Sequence, residues 1–217
     1  MDLTVFGATG GTGGQLVRQA LDRGHTVTAV VRDPARLDAG ITGHSARSAL
    51  RVVAVPDVTD AEALRGAIAG RDAVLSGIGP SNRRSAGIAT AATRSIVRAM
   101  DAEQVRRIVV ISAAPVGPAA PDDSLLMRTV AIPGIRLVLR DVYADLAAME
   151  QELQRSGLDW TSVRPPQLTD KPLTGHYRIA IGAPLAGRSI PRADLAHAML
   201  SLLDDPASVK QTVGVAT

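Results

Sequence analysis

Leu3 to Phe6 is an apolar run that leads directly into Gly7-Ala8-Thr9-Gly10-Gly11-Thr12-Gly13-Gly14, and the helix-like stretch Gln15 to Arg23 follows. A strand, a glycine turn and a helix in that order constrain the fold more than any other feature of the chain. Where a strand ends and the chain turns sharply into a helix, the first helical amides have no partners within the helix. Together with the helix dipole they form a seat for a diphosphate. Gly7 permits the tight turn, Gly10 lets the backbone approach the phosphates, and Gly13 lets the helix lie close to the strand. The flanking strand and helix turn a weak glycine signal into an expectation of dinucleotide binding.

The second apolar, β-branched run, Thr26 to Val31, ends in Arg32-Asp33-Pro34-Ala35-Arg36. A carboxylate at the tip of this strand would accept the ribose hydroxyl of NAD, whereas an arginine meets the additional 2′-phosphate of NADP. Arg32, seconded by Arg36, predicts NADP(H); the alternative makes Asp33 the ribose ligand and the arginines surface charge. Strands and helices then keep alternating, which is the pattern of a doubly wound sheet with right-handed crossovers. Arg51 to Val55 reads as a third strand, and Asp60 or Thr59 caps a helix over Ala61 to Ala69. Between them Asp57 and Val58 stand where adenine would lie, by carboxylate or amide, unless Asp57 only closes a turn. Asp72 to Ser76 is a fourth strand opening into Gly77-Ile78-Gly79-Pro80, and Ser85 to Ala102 is a helix whose stripe Ile88, Ala92, Ile96, Val97 and Met100 is core. Arg106 to Ser112, Trp160 to Val163 and the helix Ala193 to Leu203 complete the alternation. The expectation is an α/β chain, one Rossmann-like domain over residues 1–217 with a doubly wound parallel sheet and substrate-side loops at about 113–126 and 165–192.

Composition narrows the function classes. The net charge is +3, Lys171 and Lys210 are the only lysines, and the arginines are scattered along the chain. With one Phe, one Trp and two Tyr there are too few aromatic residues to interleave with them as base-stacking platforms, which argues against nucleic acid. Cysteine is absent, so a disulfide framework and a thiolate metal site are excluded and the cytoplasm is the default compartment. The apolar runs are strand-length and broken by charge, which argues against a membrane span. No metal site is expected.

The glycine spacing Gly-x-x-Gly-x-x-Gly, Val31-Arg32-Asp33, Asp57-Val58, Ser112-Ala113, the stretch Ser156 to Pro166, Leu168 to Tyr177 and Ala193-Asp194-Leu195-Ala196 carry a resemblance that spans nearly the whole chain. It is to the atypical short-chain dehydrogenase/reductases of the NmrA-like and biliverdin reductase B (flavin reductase) type. The resemblance implies a monomer or weak homodimer that binds NADPH and passes hydride to a flat, electron-poor small molecule such as a flavin, quinone or linear tetrapyrrole. It implies that Gly7, Thr9, Gly10, Gly11 and Thr12 hold the pyrophosphate, Arg32 and Arg36 the 2′-phosphate, and Ile78 and Gly79 the ribose side. Ser112, Pro165 and Pro166 would surround the nicotinamide.

Two departures bear on the chemistry. Conventional short-chain dehydrogenases partner a serine at the Ser112 position with a tyrosine and a lysine four residues later; here Tyr143 is followed four residues on by Ala147. Without a cation to lower its pKa, that phenol is a poor acid or base near pH 7. The reductases of this type also carry a histidine after the two prolines, where this chain has Gln167, which hydrogen-bonds but delivers no proton. A dedicated acid is optional for a flavin or quinone, because the reduced anion is weakly basic. The catalytic candidates are therefore Ser112, otherwise a plain strand-end serine, Tyr143, otherwise a core tyrosine, and as a replacement acid His176, otherwise an exposed loop histidine, with Gln167 beside the coenzyme; Arg164 either reaches an acidic substrate group or pairs with a carboxylate, and His197 is structural. The competing readings are an NADP-sensing regulator without turnover and a reductase or isomerase of small-molecule biosynthesis.

Overall fold

Along the first strand the side chains part to two sides: Leu3 and Val5 join one buried cluster, while Phe6 joins a second and Thr4 Oγ1 donates to Ala67 O across the other face. That alternation is the pleat of a strand covered by helices on both faces. In the computed structural model, which describes residues 1–80 and 85–217, this strand is β1 (Asp2–Phe6). It pairs in parallel with β2 (Thr26–Val31) and β4 (Ala73–Ser76), and β2 with β3 (Leu50–Ala54). On the far side β4 pairs with β5 (Arg107–Ile111), β5 with β6 (Asp159–Arg164), and β6 with β10 (Gln211–Ala216), all in parallel. The edge strand β8 (Arg178–Ile181) runs antiparallel to β10, giving the order β3-β2-β1-β4-β5-β6-β10-β8. The order reverses between β1 and β4, and a crevice opens at the carboxyl ends of such strands.

One face is covered by α1 (Gly11–Asp22) and α7 (Arg192–Ser201), whose Leu16, Val17, Leu195 and Met199 pack on Leu3 and Val5. The other is covered by α3 (Ala61–Ile68), α4 (Ile88–Ala102) and α6 (Arg140–Arg155), with Leu64, Ile96, Met100, Met149 and Leu153 around Phe6. Asp60 caps α3 by accepting from Glu62 N and Ala63 N, so of the two capping candidates it is the aspartate that serves. Two short helices, α2 (Ala39–Thr42) and α5 (Ile132–Val138), lie in connections. Among the described residues no helix is long and apolar enough to cross a membrane.

The structure amends the sequence-based boundaries at four places. First, α1 starts at Gly11 rather than Gln15, so half of the glycine run is already helix. Second, α4 starts at Ile88 behind a left-handed Gly87 (φ 98°), and Asp145 of α6 caps it from outside, its carboxylate accepting from Ala89 N and Thr90 N. Third, the segment 165–192 is not all loop. It holds β8 and a small parallel ladder of β7 (Gln167–Thr169) with β9 (Ser189–Pro191), and β8 makes the expected parallel sheet a mixed one. Fourth, the segment 127–138, for which the sequence offers no element, is helical: a π-turn over Met127–Ala131 runs straight into α5, with Pro133 inside the run.

Candidate active site

Three glycines from three elements meet at the end of β1. Gly7 has φ +75°, and a Cβ there would come within 3.0 Å of the Gly77 carbonyl carbon. A Cβ at Gly13 would fall 2.0 Å from Gly7 O, which no relaxation of a side chain can relieve. Gly77 in turn has Gly13 N 3.2 Å from its absent Cβ, so β1, the strand after it in space and α1 interlock through bare backbone. Gly10 N donates to Gly7 O at 2.9 Å, which closes the turn. Neither a side-chain cap nor an acidic residue stands in the first turn of α1. Its opening amides at Gly11, Thr12 and Gly13 are thus left to whatever anion arrives.

From this node a cleft of about 650 Å³ runs over the ends of β1, β2 and β3. Gly7, Thr9, Gly10, Arg32, Asp57, Val58, Ile78 and Gly79 line it, eight of the residues predicted for the coenzyme. Arg32 is exposed at the tip of β2, and Asp33 is occupied: its carboxylate accepts from Ala35 N at 3.0 Å and opens a short 3-10 turn. Arg36, at the end of that turn, is exposed and outside the lining residues. Asp57 closes a turn as well as lining the cleft. It accepts from Thr59 N and Thr59 Oγ1, and these bonds hold its carboxyl below the usual carboxylate range, so it stays an ionised acceptor.

A second cleft, also of about 650 Å³, opens over the ends of β5, β6 and β10. Its walls are mostly apolar and small: Ala113, Pro118, Ala120, Ile132, Ile135, Leu139, Pro165, Pro166 and Leu185 are among them. Tyr143 lines it from α6, and burial pushes its phenol above the ordinary value, with the Arg136 charge pulling the other way. Arg164 lines it from below. Its Nε and Nη2 donate to Glu150 Oε1 and Oε2 at 2.9 and 2.5 Å, and Ser162 Oγ donates to the same buried carboxylate. Of the two roles open to Arg164, pairing is the one the geometry shows. Gly117 lies against the guanidinium so closely that a Cβ would sit 2.3 Å from Nη1.

Ser112, which follows β5, is buried and lines neither cleft, although the next residue, Ala113, lines the second. The Ser112 amide continues the β5–β6 ladder by donating to Val163 O, and its Oγ is shielded and has no hydrogen-bond partner among the described residues. A buried hydroxyl left without a partner is rare in a folded interior. The main-chain cradle at Gly7 and Gly13 and the cationic tip at Arg32 offer amides and a positive charge of the kind that phosphates attract.

A family model described as NAD(P)H-binding matches residues 7–206. The chain belongs to the NAD(P)H-binding family. Solved structures agree on the fold of this family. A short-chain dehydrogenase/reductase from Veillonella parvula in complex with NADP is 19% identical, with 99% of this chain and 94% of that chain covered and a TM-score of 0.81. The anaerobilin reductase ChuY from Escherichia coli O157:H7 is 21% identical, with 100% and 97% covered and a TM-score of 0.78. The oxidoreductase ylbE from Lactococcus lactis is 17% identical, with 100% and 91% covered and a TM-score of 0.79.

Within this NAD(P)H-binding chain, not every predicted residue converges. Pro165, Pro166, Gln167 and Tyr143 gather at the apolar cleft. His176 does not: it is exposed and lines neither cleft. His197 bonds Tyr177 OH through Nδ1 at 2.6 Å on the α1–α7 side of the sheet, which agrees with a structural part. Buried Asp194 accepts from Thr174 N, Thr174 Oγ1 and Gly175 N and so pins the loop that carries His176. Sequence reasoning missed Gly77 as a partner of Gly7 and Gly13, Glu150 as the carboxylate under Arg164, and the part of Met127 to Leu139 in the second cleft. Gly77 had a signal, its place at the end of a strand next to the glycine turn. The others depend on contacts distant in sequence.

Proposed function

We propose that the protein is an NADPH-dependent oxidoreductase that reduces a flat, electron-poor small molecule of flavin or quinone type, as a cytoplasmic monomer or weak homodimer. The observation that carries this reading is the pairing of two clefts along one sheet edge, one glycine-lined with Arg32 at its rim, the other apolar and, among the described residues, free of a Tyr–Lys relay. NADPH, when bound, supplies the hydride. The chain's own residues bind and orient. Amides at the start of α1, with Thr9 and Thr12, hold the diphosphate, and Arg32, with Arg36 approaching from its turn, takes the 2′-phosphate. Asp57, ionised, accepts from the adenine amino group, and Ile78 and Gly79 flank a ribose. Ser112 gives its free hydroxyl to the nicotinamide carboxamide or the acceptor, while the two prolines and the apolar wall exclude water and fix the acceptor face. Gln167 offers an amide donor to an acceptor carbonyl. Bringing donor and acceptor together in this way supplies most of the rate when the product anion needs no dedicated acid.

The Veillonella parvula structure with NADP and the name of ChuY as a reductase support the same reading. The test is coenzyme oxidation followed by absorbance, with NADPH and NADH each offered FMN, riboflavin and a simple quinone. Turnover with at least one acceptor, faster with NADPH, is expected. Tight NADP binding with no turnover on any acceptor would instead fit a sensing role and count against the proposal.

A further inference from the structure

The helices α1 and α7 run side by side in the same direction. Gln19 Nε2 donates to Ala193 O, and one turn further on Arg23 Nη2 donates to His197 O. This places Arg192, the first residue of α7, where its long side chain reaches back along the opening turn of α1. A Cβ at Gly11 would come within 2.7 Å of Arg192 Cδ and 3.0 Å of Nε. Gly11 has no left-handed φ to explain it, and a Cβ there would collide with nothing else nearby. A side chain at position 11 would therefore displace the arginine from where it lies, and glycine leaves it room.

The other end of the arginine is held by register. In the small ladder Thr169 stands opposite Pro191, so the next residues on the two strands, Asp170 and Arg192, emerge together. Arg192 Nη1 donates to Asp170 Oδ1 at 2.7 Å, and that carboxylate is 88% exposed, a weak tether in high dielectric. The arginine thus rests against Gly11 at the start of α1, and among the described residues its guanidinium is fastened to a solvated acid. Buried Asp194, two residues on, is already satisfied by Thr174 and Gly175. This is the arrangement of a phosphate ligand parked on a surface partner.

We propose that Arg192 is a ligand of the coenzyme diphosphate, that Gly11 is glycine to admit it, and that Asp170 competes with the diphosphate for it. The inference rests on the coenzyme reading above. Because the diphosphate is common to both dinucleotides, Arg192 acts on NADP and NAD alike, unlike Arg32. Because Asp170 lies on the 165–192 segment, release of the arginine also ties coenzyme binding to that segment.

Calorimetric titration with NADP+ and with NAD+ tests this without reference to turnover. Arg192→Met is expected to weaken both coenzymes about tenfold, the loss of one charge-assisted hydrogen bond. Arg192→Lys should recover part of that, and the wild-type advantage over Arg192→Met should shrink as salt is raised. Asp170→Asn is expected to tighten both coenzymes about two- to threefold, because it removes the competitor. Arg192→Met affinities within twofold of wild type, or a loss confined to NADP+, would overturn the assignment while leaving the coenzyme reading intact. Absence of binding by the wild-type protein would overturn both. The unfolding temperature of each variant separates lost binding from lost fold.

Discussion

The two clefts along the sheet edge are built from different materials. The dinucleotide cleft is made of main chain: Gly7, Gly13 and Gly77 touch backbone to backbone, and its donors are amides at the start of α1. The apolar cleft is made of side chains on short or irregular pieces, the π-turn at Met127–Ala131, α5 and the loop at Ala183 to Gly187, around a buried Arg164–Glu150 pair. Leu125, Leu126, Val130, Leu137 and Val138 remain exposed on its outer rim. A site of amides recognises a group every dinucleotide shares, whereas a site of side chains can be re-cut for each acceptor. The contrast separates what is general to this fold from what is particular to this chain.

The largest effect expected on that contrast is in the second cleft. Arg164→Met would leave Glu150 as an uncompensated buried carboxylate and should cost about 3 to 5 kcal/mol of stability. Urea unfolding checks it; a loss under 1 kcal/mol would mean that the pair is an ornament of the cleft rather than its floor. Gly13→Ala puts a methyl 2.0 Å from Gly7 O, so the first cleft should deform, with about 1 to 3 kcal/mol lost and dinucleotide affinity gone in calorimetry. Retained affinity would break the claim that bare backbone makes that site. Arg32→Asp should be milder and selective, lowering NADP+ affinity about tenfold or more while sparing NAD+, since only the 2′-phosphate contact is lost.

The smallest effect is expected at Tyr143. Burial raises its phenol, so the group stays protonated across neutral pH, and the coupling runs one way. Stability from the buried neutral phenol is present below the unfolded pKa and is lost as pH rises through the folded value, which places any limb at the alkaline end. Tyr143→Phe should therefore change turnover less than threefold and leave the pH–rate profile between pH 6 and 8 unaltered. A steep loss with a shifted profile would restore the tyrosine as an acid.

How much of this was legible in the sequence follows the same division. Gly7, Gly10 and Gly13, the strand before them and Arg32 after β2 are local patterns whose geometry is decided within a few residues; Gly7, Gly10 and Arg32 landed in one cleft, with Gly13 packed against Gly7 behind it. Asp60 as a cap was legible for the same reason. α5 was not: Met127 to Val138 shows no buried stripe, much of its apolar surface stays outside, and Pro133-Gly134 reads as a break. Its helical form depends on packing beside α6, which no local pattern announces. β7, β8 and β9 are three or four residues each and take their identity from partners 20 or more positions away. The meeting of Gly11 with Arg192, and of Asp170 with Arg192, was hidden by that distance. For His176 the sequence left two roles open, a replacement acid or an exposed loop histidine, and its exposed position outside both clefts agrees with the second.

A crystal structure of the protein grown with NADP+ tests the central claim most directly. The account predicts the diphosphate on the amides of Gly11 and Thr12 at the start of α1, the 2′-phosphate at Arg32 and the nicotinamide beside Ser112 and Pro165. A diphosphate bound elsewhere, or a glycine cradle left without coenzyme at saturating concentration, would contradict it.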